Sequence, residues 1–372
     1  MFKAFVFDMD GVIVDSESQW KKLEHKFLKK ELPTWGEQDY ENITGLGIVQ
    51  FYQYLVDRHG LTLGIEEFEE KNREIARQIY KEYVSLTPGF RSFIGELASM
   101  DCKIALCSSS PMEWIEIVLE RFDLRDFFQV VVSSDHVNGV GKPDPAIYKL
   151  VASKLEMNPA DCLVVEDSRH GIHAARDAGM TVLGFQPGDN KQSLEDSHGV
   201  LFGFENLSPK ALFFHLGEIG DEFVSPRKQS LDDFEGQWKG SGIEHEGSPF
   251  EGHFVFEKHK QSFFAHFAAQ SIDGAESFHE ERGLLGVQDS HFRYVLSNTH
   301  FEELLTHTLC LAINTSEGAG FLFSYGDPYS SEGFRERVLW ARKGEDKLRI
   351  QYYWAMGQEE MQARSGLILE RI

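Results

Sequence analysis

Cysteine is scarce in this chain. Cys102, Cys107, Cys162 and Cys310 are the only four in 372 residues, and their spacing matches neither a zinc site nor a disulfide framework. Cys102, Cys107 and Cys162 fall in or beside apolar runs that read as buried strands. They are expected to be reduced core thiols, which fits a cytoplasmic location. Positive charge is also short: 37 Lys and Arg stand against 60 Asp and Glu, for a net charge of −23. That balance argues against nucleic acid and against an anionic membrane as partners. It also repels phosphorylated small molecules, so a phosphate site here needs local cations and backbone donors. No apolar run reaches the roughly 18 residues of a membrane-crossing helix. The stretch before Asp8 is too short, and meets charge too soon, to read as a signal peptide. It reads as a buried strand.

What is present is enough to build two cores. The length suits two domains, and 41% of residues are hydrophobic, with 30 Phe. After Pro88-Gly89, apolar strands at 103–107, 129–133, 162–165 and 181–185 alternate with helical spacing at 90–100, 111–121, 145–155 and 170–179. This rhythm predicts a parallel α/β sheet covered on both faces. Helical spacing at 17–31, 48–59 and 66–86 interrupts it after the first strand and reads as an inserted cap. Near residue 220 the rhythm stops. Beyond it, period-2 patterns predominate, at 253–257, 262–267, 292–296, 320–325, 337–341, 348–354 and 366–369. About eight to ten short strands predict an antiparallel barrel or sandwich. The expected organisation is an α/β core at 1–15 and 87–220, a helical cap at 16–86, a linker at 221–230 and a β-barrel domain at 231–372.

Chemistry gathers at the predicted strand ends, where open α/β sheets bind ligands. Asp8-Met9-Asp10-Gly11 ends the first strand and offers two carboxylates for different tasks, attack and proton transfer. Ser108-Ser109-Ser110 ends the strand at 103–107, just before a helix, with hydroxyl and N–H donors for phosphate oxygens. Lys142, in a loop stiffened by Pro143 and Pro145, offers a cation. Glu166-Asp167 ends the strand at 162–165 and suits a hard, oxygen-seeking ion such as Mg²⁺. Each signal alone is equally at home in a turn, a helix cap or a solvated loop; their order and placement give them weight.

Taken in that order, these residues resemble the four motifs of the haloacid dehalogenase superfamily, in its β-phosphoglucomutase-like branch, over about residues 1–220. The resemblance implies a Rossmann-like core with an inserted helical cap. It implies that Asp8 is a nucleophile forming an aspartyl phosphate, and that Asp10 is the general acid and base. Gly11, Ser108, Ser109 and Lys142 would hold phosphate; Asp8, Asp10, Glu166 and Asp167 would hold Mg²⁺. Mutases of this branch carry a cap His where Trp20 stands here, and a basic cap motif where this chain has Thr44-Gly45-Leu46-Gly47-Ile48-Val49. A mutase must bind a second phosphate, so these differences favour a hydrolase acting on a small phosphorylated metabolite. Trp20, His25, Trp35, Arg73 and Arg77 are candidate substrate contacts from the cap.

The C-terminal part opens with Gly236-Gln237-Trp238-Lys239-Gly240, which resembles the first strand of calycin-like barrels of the lipocalin and nitrobindin type. Eight histidines follow, from His245 to His307. The final strand region, Gln362 to Leu367, has none, which argues against haem. Such a barrel holds a small apolar ligand or is filled by its own rings. Three functions therefore stand open: a phosphomonoesterase with an accessory barrel, a sugar phosphomutase, and a sensor whose barrel binds a ligand.

Overall fold

The computed structural model describes residues 2–36, 39, 48–187, 194–219, 231–260, 262–274, 277–288, 291–315, 318–330, 332–357 and 359–372. The expected linker at 221–230 and Thr44 to Gly47 of the cap motif lie outside the described residues. Strand β1 (Ala4–Phe7) is wholly buried. Its alternate side chains serve two cores: Phe5 and Phe7 pack with Phe90, Phe93 and Phe204, and Ala4 and Val6 with Ile147, Val151 and Val182. A strand covered on both faces has no use for polar alternation, which is why the run is continuously apolar.

The short β2 (Val14–Asp15) leaves the sheet and leads into the cap. The cap holds α1 (Glu17–Glu31), α2 (Ile48–His59) and α3 (Ile65–Gln78), followed by a π-turn at Ile79–Tyr83. It has its own core, built on Leu28, Trp35, Phe51, Leu55 and Phe68. The chain returns through β3 (Ser85–Leu86), which pairs antiparallel with β2 and ties both crossings together.

The α/β part then runs α4 (Phe90–Ala98), β4 (Lys103–Cys107), α5 (Met112–Arg121), β5 (Val130–Val132), α6 (Ala146–Leu155), β6 (Cys162–Glu166), α7 (Arg169–Asp177), β7 (Thr181–Phe185), β8 (Gly199–Leu201) and α8 (Pro209–Ile219). The strands lie in the order β5-β4-β1-β6-β7-β8, all parallel. The ends of β1, β4 and β6 are therefore neighbours, and the motif residues that follow them meet.

Ten antiparallel strands follow: β9 (Gly236–Ile243), β10 (Pro249–His259), β11 (Ser262–Ser271), β12 (Ser277–Gln288), β13 (His291–Asn298), β14 (Phe301–Thr315), β15 (Gly318–Tyr325), β16 (Phe334–Lys343), β17 (Lys347–Met356) and β18 (Gln362–Arg371). Each pairs with the next, and β18 pairs with β9, closing an up-and-down barrel. Closure leaves no sticky edge within the barrel. Trp238, Phe254, Phe256, Phe323 and Trp340 fill its interior. The barrel also extends the α/β sheet: β14 pairs antiparallel with β8, Leu311 opposite Leu201. Cys310, Ile313, Leu339 and Tyr353 on the barrel's outer side share a core with Leu212 and Leu216 of α8.

Candidate active site

Asp8 follows β1 and is buried. Its backbone N–H donates to the Val165 carbonyl of β6 at 3.0 Å, which fixes it beside the residues that end that strand. Lys142 reaches into the same place. Its Nζ is hydrogen-bonded to Asp8 Oδ1, lies 2.5 Å from Glu166 Oε1, and donates to the Cys107 carbonyl at 3.1 Å. The Ser109 hydroxyl holds the Lys142 backbone N–H at 3.1 Å. Glu166 is braced by the Tyr148 hydroxyl and by the N–H and hydroxyl of Ser168, which donate to its Oε2 at 2.9 and 3.0 Å.

One ligand oxygen from each of Asp8, Glu166 and Asp167 lies within 4.8 Å of the others, and all three residues are buried. An all-oxygen donor set of this kind suits a small hard divalent cation. Two glycines make the crowding possible. Gly11 has φ +80°, and a Cβ there would stand 2.0 Å from Asp167 Oδ2. A Cβ on Gly171 would stand 1.7 Å from Glu166 Oε1.

The electrostatics follow from burial. Loss of water raises the Asp8 carboxyl above its ordinary range; Lys142 opposes this, and Glu166 and Asp10 add to it. Burial works against the Lys142 ammonium, but Asp8 and Glu166 outweigh it and hold Lys142 well above its usual value. The cluster therefore keeps one buried cation among several carboxylates.

Asp10 sits at the border of core and cap. Its Oδ1 accepts the Ser16 hydroxyl at 2.6 Å and the Tyr80 hydroxyl at 2.7 Å, and its Oδ2 accepts Ser110 at 2.8 Å. Trp20 Nε1 donates to the Tyr80 oxygen at 3.2 Å. Trp20, Tyr80 and Trp114 of α5 form one aromatic group, with ring centroids 5.6 to 6.3 Å apart.

The structure thus brings Asp8, Lys142, Glu166 and Asp167 together, with Gly11 against Asp167. Ser109 and Lys142 are joined, and Ser108, buried, accepts the Ser110 N–H at 3.0 Å. Among the cap candidates, Trp20 reaches the Asp10 surroundings through Tyr80. Trp35 belongs to the cap's own core, and His25 is half-buried on α1. Arg73 pairs with Glu69 and Glu70 on its own helix. Arg77 pairs with Glu70 and reaches Glu113 of α5 at 2.7 Å, a tie between cap and core. The sequence reading left out Ser16, Tyr80, Ser110, Trp114 and Tyr148. Ser110 belonged to a run already singled out; Tyr80 and Trp114 carried only the apolar periodicity of their helical segments.

Residues 5–185 match the family model of the haloacid dehalogenase-like hydrolases. A phosphorylated carbohydrates phosphatase of Thermotoga maritima is 31% identical over 178 residues, 48% of this chain and 82% of its own. Hexitol phosphatase B of Escherichia coli K12 is 32% identical over 188 residues, 48% of this chain and 80% of its own. A β-phosphoglucomutase of Bacillus subtilis is 30% identical over 194 residues, 50% of this chain and 84% of its own. The barrel lies beyond the family match, which ends at residue 185. Relatives matched over most of their own length, together with the motif residues at the ends of β1, β4 and β6, assign the chain to the haloacid dehalogenase-like hydrolases.

Proposed function

We propose that this chain hydrolyses the phosphomonoester of a small phosphorylated metabolite, with Mg²⁺ and through an aspartyl phosphate on Asp8. The broader class, a phosphatase of this family, rests on the relatives. The finer reading rests on one observation: Asp8, Lys142, Glu166 and Asp167 meet in one buried place. In this reading an Asp8 oxygen attacks phosphorus in line, the bond to the leaving oxygen breaks, and Asp10 gives that oxygen a proton. Water then attacks the aspartyl phosphate, Asp10 takes its proton, and Asp8 is restored with inorganic phosphate. Lys142 and the donors of the Ser108-Ser109 turn meet charge on the phosphoryl oxygens. The Asp8 and Asp167 carboxylates and the Asp10 carbonyl would hold Mg²⁺, with Glu166 in support. The bound ion would screen the repulsion between carboxylate and phosphate.

Hydrolase is favoured over mutase by Trp20. Where a mutase of this branch carries a cap His, this chain places an indole that donates to Tyr80. Named activities of the relatives make phosphorylated carbohydrates and hexitols the first substrates to try. The calycin-like character of the barrel is likewise a proposal, supported by the Trp238 motif on β9 and by the strand order.

The test is phosphate release from p-nitrophenyl phosphate and from a panel of sugar, polyol and nucleotide phosphates. Release with Mg²⁺ that disappears in Asp8→Asn and with EDTA supports the reading. A folded, Mg²⁺-supplied protein that releases nothing, but converts one sugar phosphate isomer to another, would instead assign a mutase.

A further inference from the structure

The two ends of the barrel differ. Near β9, the turn at Leu231–Phe234 closes the interior, and Phe234, Trp238, Phe256 and Trp340 fill it. The other end has a polar floor. Strand register puts Glu281 opposite Phe267, Tyr294 opposite Leu285 and His307, Glu336 opposite Tyr325, and Tyr352 opposite Val338. All five floor residues face inward with the core, and none exceeds 8% exposure. Buried polar groups of this number demand partners.

Most have them. The Tyr352 hydroxyl donates to Glu281 Oε2 at 3.0 Å, and His279 Nε2 to Glu281 Oε1 at 2.9 Å. His307 Nε2 meets Glu336 Oε2 at 2.8 Å. Two atoms do not: the Tyr294 hydroxyl oxygen and His307 Nδ1 are buried with no hydrogen-bond partner. His307 Nδ1 accepts in one tautomer and donates in the other, and it stands without a partner in both. Both carboxylates act on the Tyr294 hydroxyl, which burial and their charge hold well above its ordinary pKa. The floor thus holds two carboxylates, each bonded to one imidazole, and two buried polar atoms left without a partner.

Rings border the floor toward solvent. Phe334 lies 4.9 Å from Phe301, 6.1 Å from Tyr325 and 6.3 Å from Trp354, centroid to centroid. The Arg364 guanidinium stacks over Trp354 at 4.2 Å and pairs with Glu359 at 3.5 Å, with its Nε left without a partner. Among the described residues, the only tight three-carboxylate or imidazole group is the one at Asp8, so this floor is not preorganised for a metal ion.

We propose that this barrel mouth binds a small organic cation bearing N–H groups, of the alkylammonium class, seated between Glu281 and Glu336 with the aromatic rim around its apolar part. Barrel mouths are common ligand sites. Two carboxylates supply the counter-charge, and ring faces attract the cation's positive edge. A phosphate or carboxylate ligand would meet like charge at the floor. The ligand is thus amphipathic rather than purely apolar, and the site is separate from the one at Asp8.

The full chain is titrated calorimetrically with n-butylammonium chloride, and with 1-butanol and sodium butyrate as matched neutral and anionic probes. Butylammonium is expected to bind at least about tenfold more tightly than either. Glu281→Gln and Glu336→Gln are each expected to weaken it about tenfold, with far-UV circular dichroism and phosphate release unchanged. Tyr294→Phe, which removes the unpartnered hydroxyl without touching charge, is expected to weaken it about threefold, and serves if a Gln variant misfolds. Equal affinity for the three probes, no binding at all, or butylammonium binding indifferent to these substitutions would overturn the proposal. A floor that holds only water gives the second of those results.

Discussion

The Tyr80 hydroxyl donates to Asp10 Oδ1 at 2.7 Å, joining residues 70 positions apart in the chain. Tyr80 lies in the π-turn at the cap's exit, and Asp10 in the loop after β1. The Trp20 indole, from the cap's first helix, donates to the same Tyr80 oxygen. The orientation of the Asp10 carboxylate therefore depends on where the cap sits. Burial, and then the Asp10 charge, hold the Tyr80 hydroxyl well above its ordinary pKa, so it stays a donor.

Tyr80→Phe removes one donor and keeps the ring. On the proposed mechanism Asp10 protonates the leaving oxygen, which matters for an alkyl phosphate and little for p-nitrophenolate. The variant should lower kcat/KM for a sugar phosphate about tenfold, a fraction of the roughly 10²- to 10⁴-fold that a general acid contributes, and leave kcat/KM for p-nitrophenyl phosphate nearly unchanged. Equal losses on both substrates would mean that Tyr80 serves packing alone.

Gly11→Ala places a methyl group where Asp167 Oδ2 now lies, 2.0 Å from it, at a φ of +80°. Asp167 must move; on the proposed Mg²⁺ reading it is a ligand, and disturbing even a group that only orients a ligand costs about 10- to 100-fold in affinity. Titration of activity with Mg²⁺ should show a raised half-saturation concentration in that range. Circular dichroism should be unchanged, since the loop lies at the sheet's end.

Burial in the cap raises the Glu24 carboxyl from its ordinary 4.5 to about 7. A raised folded pKa means that the folded chain holds this proton more tightly than the unfolded chain does. Glu24 therefore costs nothing below about pH 4.5 and destabilises progressively as pH rises toward 7. Glu24→Gln removes the effect. Its gain over wild type in urea melts should grow between pH 5 and 8, to at most about 3 kcal/mol. A gain that is flat with pH would count against a buried, ionising Glu24.

Where α8 meets β17, His215 is fully buried, and its ring stands edge-on to Tyr353 at 4.8 Å. Burial holds its imidazole well below 6.5, with Arg337 and Arg349 adding to the effect. The unfolded chain takes up this proton below about pH 6.5 and the folded chain does not. Stability is thus intact above that pH and falls as acid is added, by up to about 1.4 kcal/mol per pH unit. His215→Phe should flatten the acid limb of a thermal melt between pH 6.5 and 5. An unchanged limb would place the acid sensitivity elsewhere.

Much of the architecture is written in the local sequence. The strands at 103–107 and 181–185 keep those bounds, because a strand buried on both faces writes itself as an apolar run. The barrel strands with one face inward and one outward showed their alternation. Two barrel strands, β12 and β14, are not marked by alternation, and each has a reason. The inner face of β12 carries His279, Glu281 and Gly283, so polar residues stand where alternation needs apolar ones. The segment Leu309 to Ile313 of β14 is buried on both sides, because its outer face packs on β8 and α8. It reads as an apolar run rather than as a barrel strand.

The same division runs through the site. The expected neighbourhood of Asp8, Asp10, Ser108 and Asp167 came from short local motifs at the ends of β1, β4 and β6, which parallel topology makes neighbours, whereas Lys142 reaches Asp8 from a loop well beyond β5. Local sequence thus determined the α/β plan and its strand-end groups. Tyr80 and Trp20 on Asp10, the β8–β14 ladder, and the acidic floor of the barrel were decided only by tertiary structure. Each depends on groups tens of residues apart being packed face to face, and hydrogen bonds and burial at that range leave no period in the chain.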